Sequence, residues 1–491
     1  HFRSLFRTLR RAGIARGGLY LAWDFTVSSR RSLSERMLQI RDDAFRQLGD
    51  RNLADLKVDG AAPRHTIDRV TDFTRAEDAQ IAREVVGTVE VPCYLDRVGC
   101  PPASGFRYTS GSPDALPRQL PGNVRRARFR CVVPRSSGIA GGTARPVRAS
   151  LYGHGSFGSE DEVAAPYVRS FAQAHGFVVC ATAQIGFAAE DRTSAFERLN
   201  DFSGFRTFVD RIQQGLLNEL ILGRLMIHPR GLAADAAFRT AGGEPVIDMT
   251  RLFYDGNSEG AILGGALTAF APDFERAVLG VGGMNQSAIL PRALDWPDFV
   301  ATFGAAYPSQ LAQPLVMSLS QMLWDRSEGN GVAQHMTDDP LPNTPPHQVL
   351  LQIALGDFQV PNTFAQVQAR TIGAAVRAPI ADPGRLADRS PFWGIERIAA
   401  FPHAGSALTL WDAGPIRDGG ALGNAPAALS NRSPLLSVPG GPVGDGNDPH
   451  SLVRGTPAAQ EQKSRFLRVD GVVADTCGAT PCYVSGWDGP R

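Results

Sequence analysis

The stretch Arg251-Leu-Phe-Tyr-Asp-Gly-Asn-Ser-Glu-Gly-Ala-Ile-Leu-Gly-Gly-Ala-Leu-Thr-Ala-Phe270 reads as a strand, a tight turn and a helix in direct succession. Leu252, Phe253 and Tyr254 form a short apolar strand, and residues 261–270 a buried helix of small and aliphatic residues. Between them, Gly256-Asn257-Ser258-Glu259-Gly260 fits Gly-x-Ser-x-Gly. A serine on so sharp a turn projects its hydroxyl away from the backbone, and the flanking glycines let the chain pass close to itself. The helix starting after the serine turns free N–H groups and a positive dipole end towards the hydroxyl. Ser258 is therefore a candidate nucleophile.

Outward from this turn, strand and helix signals alternate. Residues 85–95, 127–134, 147–152 and 177–182 read as strands before it, and 276–281, 347–356 and 407–411 as strands after it. Helical stretches fall at 160–175, where Gly176 supplies the cap, and at 208–225, 363–376 and 457–467. The expected class is α/β, a mostly parallel central sheet flanked by helices. Two stretches break the alternation: residues 285–345, helical and rich in aromatics and methionine, read as a cap insertion. Residues 413–449 read as a long Gly/Pro-rich loop. Residues 1–84 form an N-terminal extension or small lobe, with a helix at 32–47 and a strand at 19–27 whose Trp23 and Phe25 share one core-facing side. The expected division is thus 1–84, a core in two parts at 85–284 and 346–491, and the insertion at 285–345.

The chain has 491 residues, 43% hydrophobic and 20% charged, with a net charge of +1. That fits a globular protein with a sizeable core and gives no reason to expect nucleic acid or an anionic membrane as partner. No apolar run reaches the ~20 residues of a membrane-spanning helix. The chain opens on His1 and reads as a processed product. Of six cysteines, Cys93 with Cys100 and Cys477 with Cys482 have the spacing of local disulfides, which favours a secreted or periplasmic protein. Cys131 and Cys180 lie in strand-like runs and are expected to be buried thiols. Neither cysteine pair has histidines at ligand spacing, so no metal is expected.

A serine nucleophile needs a base, and the base needs an acid to orient it. His450, in a loop after the last strand, is the leading candidate among nine histidines, with His403 as runner-up. Asp357 follows directly on the strand at 347–356 and so emerges at the same sheet edge as Ser258. Asp412 is the alternative acid, and Asp448 is read as a turn residue. Gly153-His154-Gly155-Ser156 ends a strand, and its N–H groups can face a shared pocket. Gly155 or Ser156 would supply one oxyanion donor and Glu259 the other.

The order of Gly153-His-Gly-Ser156, Gly256-Asn-Ser-Glu-Gly260, Gly356-Asp357 with Val360-Pro361, and then His450 resembles the α/β-hydrolase superfamily over residues 85–475. The resemblance implies a cofactor-free serine hydrolase of carboxylic esters, of small-molecule or polymeric kind. Ser258 would be nucleophile, His450 general base and then acid, and Asp357 orienter. Amide or peptide hydrolysis by the same residues is the alternative, and a catalytically silent binding protein the third reading. Two features depart from the family pattern: the long interval between Asp357 and His450, and residues 1–84.

Overall fold

The computed structural model describes residues 1–112, 115–381, 391–414 and 448–485. Its strands are β1 (His65–Asp72), β2 (Ile81–Pro92), β3 (Val124–Pro134), β4 (Val147–Gly153), β5 (Phe177–Thr182), β6 (Ile247–Asn257), β7 (Phe274–Gly280), β8 (Gln348–Ala354), β9 (Ala375–Val376), β10 (Ala407–Asp412) and β11 (Cys482–Tyr483). They form one sheet in the order β1-β2-β3-β5-β4-β6-β7-β8-β10-β11, with β9 also on β10. From β5 onward neighbouring strands run parallel, while β1, β2, β3 and β5 pair antiparallel. β4 and β5 exchange places, so that β4 lies beside β6. Parallel strands need crossover connections, and helices supply them on both faces.

The helices are α1 (Phe2–Arg11), α2 (Arg30–Leu48), α3 (Pro166–His175), α4 (Arg192–Asn200), α5 (Phe205–Ile227), α6 (Glu259–Phe270), α7 (Gln286–Ile289), α8 (Trp296–Ala306), α9 (Ala312–Trp324), α10 (Asn362–Thr371) and α11 (Pro457–Phe466). α5 is buried along nearly its whole length, an all-round enclosure that its Leu/Ile content tolerates. Its buried Arg224 reaches Asp50 at 2.7 Å and Asp273 at 2.8 Å. α2 adds Met37, Ile40, Ala44 and Phe45 to the main core, and its buried Arg41 donates to the carbonyl of Phe270 at the end of α6.

Several local expectations are corrected. Residues 19–27 form no strand, and Trp23 and Phe25 are exposed, because no neighbouring strand among the described residues offers them a ladder. The helix expected over 160–175 divides at Pro166: a 3₁₀ segment Glu160–Ala164 precedes α3, as the proline ring and missing N–H require. The helix expected over 363–376 stops at Thr371, and Gly373, with φ of 68°, turns the chain into β9. Cys131 and Cys180 are not thiols. They face each other across β3 and β5 and are joined, as are Cys93 with Cys100 and Cys477 with Cys482. Of the long Gly/Pro-rich loop at 413–449, residues 415–447 lie outside the described part of the chain.

Candidate active site

β6 ends at Asn257 and α6 begins at Glu259, leaving Ser258 alone to make the turn, with φ of 60° and ψ of −124°. Positive φ is rare for a side chain larger than hydrogen and marks a position held by its surroundings. The holding contacts are visible. The Ser258 N–H donates to the carbonyl of Gly280 at 2.9 Å, at the end of the neighbouring β7. The Tyr254 hydroxyl donates to the carbonyl of Gly260 at 2.5 Å. A Cβ on Gly256 would collide with the carbonyl of Gly260, and one on Gly260 with the backbone of Gly153. Both glycines of the motif are thus required by close backbone approach rather than by their own φ.

A right-side sheet neighbour completes the edge. β8 runs parallel to β7, and Asp357 follows it after the turn Leu355-Gly356. The N–H groups of Gln359 and Val360 donate to its Oδ1 at 2.8 and 2.9 Å. The imidazole of His450 brings Nδ1 to 2.8 Å from Oδ2 and 3.0 Å from Oδ1. Asp357 and His450 are almost completely buried. An aspartate on Nδ1 makes that nitrogen the protonated one and leaves Nε2 with its lone pair outward. Nε2 is buried and has no hydrogen-bond partner among the described residues, Ser258 included.

Asp448 fixes the turn carrying His450. Its Oδ1 accepts from the N–H of His450 at 3.1 Å and of Phe358 at 3.2 Å, and its Oδ2 from the Gln359 amide at 2.8 Å. It therefore staples the histidine turn to the loop of Asp357, a role its reading as a plain turn residue left out. Burial, then the neighbouring Asp357, pushes its carboxyl above the usual range.

The two alternatives sit elsewhere. His403 pairs its backbone with Val473 and lines a different cavity, together with Glu275 and Arg276. Asp412 accepts from the N–H of Gly414 within its own turn. The cavity of about 330 Å³ that Ser258 and His450 share is lined also by Ser156, Phe157, Phe187, Glu259, Gln286 and Phe299. Of the aromatic and methionine residues in the 285–345 stretch, Phe299 reaches this cavity, stacking on Phe196 of α4, while Phe303, Met317 and Trp324 are buried and Met322 is exposed.

The loop after β4 corrects the expectation for Gly155. Its N–H donates to Glu162 Oε2 at 2.8 Å and is not free for an oxyanion. Glu162 also accepts from the hydroxyls of Tyr152 at 2.8 Å and Tyr167 at 2.6 Å. Burial opposes its charge, but these hydrogen bonds outweigh burial and hold the carboxyl below its ordinary value. Nothing in the sequence marked Glu162, because its partners are brought together only by the fold. The N–H of Ser156 makes no hydrogen bond to another described residue, and that of Glu259 stands in the first turn of α6, which has no intrahelical acceptor. His154 is a buried structural residue. The Gln184 N–H donates to its Nε2 at 2.8 Å, which leaves Nδ1–H to donate to the carbonyl of Gly155 at 2.8 Å. Burial lowers its pKa.

Strand order and turn together decide the fold: eight strands side by side in the sheet from β2 to β10 with one exchanged pair, and a serine at positive φ between a central parallel strand and its helix. The chain has the α/β-hydrolase fold. No family model matches this hydrolase-fold chain, and no curated protein is similar to it in sequence. Among solved structures it is similar to acetyl xylan esterase 1 from Thermoanaerobacterium sp. JW/SL YS485, with 13% identity and a TM-score of 0.40 over 80% of this chain and 95% of that one. The acetyl xylan esterase from Paenibacillus sp. R4 gives 12% and 0.40 over 79% and 89%. An acylaminoacyl peptidase from Pyrococcus horikoshii gives 10% and 0.32 over 76% of this chain and 48% of that one. Among the described residues, no helix is long and apolar enough to cross a membrane.

Proposed function

We propose that this protein is a serine hydrolase of carboxylic esters, with Ser258 as nucleophile, His450 as general base and then acid, and Asp357 as orienter. The observation that carries this reading is one cavity lined by both a serine at positive φ and an imidazole whose Nδ1 is held by a buried aspartate. His450 Nε2 takes the proton of the Ser258 hydroxyl as Oγ attacks the ester carbonyl. The oxygen that becomes negative is received by the N–H groups of Ser156 and Glu259. His450 then returns the proton to the departing alkoxide, leaving the acyl group on Ser258. Water, deprotonated by the same nitrogen, releases the acid and restores the serine.

The Ser258–His450 hydrogen bond has to form on substrate binding, since catalytic hydrogen bonds commonly close only with substrate in place. Phe157, Phe187 and Phe299 give the cavity an apolar wall for an acyl or aryl group. Three disulfides favour a secreted or periplasmic setting.

The test compares wild type with Ser258→Ala on p-nitrophenyl esters and on matching p-nitroanilides. Ester turnover that disappears in the folded variant supports the reading. Turnover unchanged in Ser258→Ala ends it, and faster cleavage of the anilide moves the substrate class to amides.

A further inference from the structure

Resting on the acyl-enzyme reading above, we infer that Glu162 is a positioning residue for the reaction at Ser258. Its carboxylate clamps Gly155, which keeps the Ser156 N–H turned to the oxyanion, and ties that loop to the region carrying His450.

The loop after β4 has to be held by contacts, because Gly155 itself offers little resistance to turning. With no Cβ it moves between backbone conformations more freely than any other residue. It also lies against the nucleophile: a Cβ placed on it would stand 3.9 Å from Cβ of Ser258 and 3.7 Å from Glu162 Oε2. Both peptide groups flanking it are engaged. On one side its N–H donates to Glu162 Oε2 at 2.8 Å. On the other its carbonyl accepts from His154 Nδ1 at 2.8 Å and from the N–H of Gly158 at 3.0 Å. A trans peptide is planar, and its C=O and N–H point opposite ways. Holding the Gly155 carbonyl towards His154 and Gly158 therefore turns the Ser156 N–H the other way. Ser156 lines the cavity of Ser258, and its N–H makes no hydrogen bond to another described residue.

Glu162 is equipped to act as the clamp. Its Oε1 accepts from the hydroxyls of Tyr152 at 2.8 Å and Tyr167 at 2.6 Å, with Arg454 Nη1 3.6 Å away, and this fixes the carboxylate with Oε2 on Gly155. An ionised carboxylate only accepts, and each of these partners donates. Arg454 carries the clamp to the other side of the site. It belongs to the 3₁₀ turn Val453–Gly455, just after His450, donates to the Tyr167 hydroxyl at 3.3 Å and lines the same cavity as Ser258. One hydrogen-bonded cluster thus joins the end of β4, the 3₁₀ segment Glu160–Ala164, the start of α3 and the chain that carries the base.

The test is Glu162→Met, which keeps the volume and removes the acceptors, beside Glu162→Gln. The glutamine carbonyl still accepts from Gly155, while the tyrosine hydroxyls turn to accept from its amide. Turnover is read on p-nitrophenyl acetate, oxyanion binding as the Ki of trifluoroacetophenone, and folding by near-ultraviolet circular dichroism. With that ketone the Ser258 Oγ–C bond forms as the carbonyl π bond opens, the hydroxyl proton passes to His450 Nε2, and the negative charge comes to rest on oxygen. Glu162→Met is expected to lower kcat by about 10²-fold with KM within about twofold of wild type, the cost of a displaced oxyanion donor. Its Ki should rise by the same factor as kcat falls. Glu162→Gln should bring kcat back to within about tenfold of wild type. Should Glu162→Met not fold, Glu162→Ala, which admits water, carries the same expectation. A folded Met or Ala variant with kcat within about threefold of wild type overturns this inference alone. So does a rise in KM alone, an unmoved Ki, or a loss that Glu162→Gln does not relieve. Wild type that neither turns over the ester nor takes a fluorophosphonate on Ser258 overturns the acyl-enzyme reading and this inference with it.

Discussion

At the scale of single residues, the site depends on a few contacts whose loss has calculable consequences. Asp357 fixes the tautomer of His450 by accepting from Nδ1. Asp357→Asn presents an N–H or a weaker acceptor to that nitrogen, so a kcat lower by about 10⁴-fold with KM little changed is expected in steady-state ester assays. A drop of less than tenfold would mean that another group orients the base. Asp448 touches no reacting atom but holds the His450 turn against the Asp357 loop. Asp448→Ala is therefore expected to lower kcat while leaving KM and fluorescence-monitored stability close to wild type, and a change in KM alone would contradict the stapling role. The sequence places Ser258, Asp357 and His450 after strands in the chain order of one fold, and the structure brings Ser258 and His450 to one cavity and Asp357 to His450. Gly155 was misjudged because its N–H is claimed by Glu162, a partner that only the packed 3₁₀ segment brings within 2.8 Å.

At the scale of elements, periodicity and punctuation located nearly all the parallel strands and their helices, including the Gly176 cap of α3 at φ of 68°. What they missed depends on neighbours rather than on the segment itself. Residues 19–27 alternate like a strand but find no strand to pair with, and β1 pairs with β2 although its residues are largely exposed. The two cysteines of β3 and β5 are the clearest case: 49 residues separate them, and only the register of Cys131 opposite Cys180 brings them together. A link closing a loop of that length stabilises by about 4 kcal/mol on chain-entropy grounds. The double variant Cys131→Ala/Cys180→Ala should lose stability of that order in guanidinium unfolding with unchanged Ser258 labelling in the folded form. A loss below about 1 kcal/mol would show that the sheet does not rely on the link.

At the scale of the whole molecule, the core carries an unusual load of buried acid. Glu219 and Glu259 are each pushed up to about 8 and Glu328 to about 7, in each case by burial first. Their unfolded values lie near 4.5. Between these limits the folded protein holds protons that the unfolded chain has released. The slope of stability with pH is therefore negative for these groups, and their contribution is full below about 4.5 and lost as pH rises to about 8. Glu219 lies away from the cavity, bonded to Gln184, so Glu219→Gln isolates the effect. Denaturation midpoints measured from pH 5 to pH 9 should fall less steeply in Glu219→Gln than in wild type; parallel profiles would contradict the assignment. The N-terminal region is bound into the same body through Arg224, whose partners come from residue 50 and from residue 273. Asp50→Ala leaves that arginine under-paired in the interior, and a loss of about 3 kcal/mol or more in urea unfolding is expected. A loss below about 1 kcal/mol would show that this buried pair does not tie the region to the core.

The claim on which the rest depends is that Ser258 is made nucleophilic by His450. The most direct measurement is the rate of covalent labelling by a fluorophosphonate probe, with the modified residue located by peptide mass spectrometry, in wild type, Ser258→Ala, His450→Ala and His403→Ala. One adduct on Ser258 is expected, absent in Ser258→Ala, slowed by at least about 10³-fold in His450→Ala and unaffected in His403→Ala. An adduct on another residue, or labelling that survives in His450→Ala and is lost in His403→Ala, would contradict it.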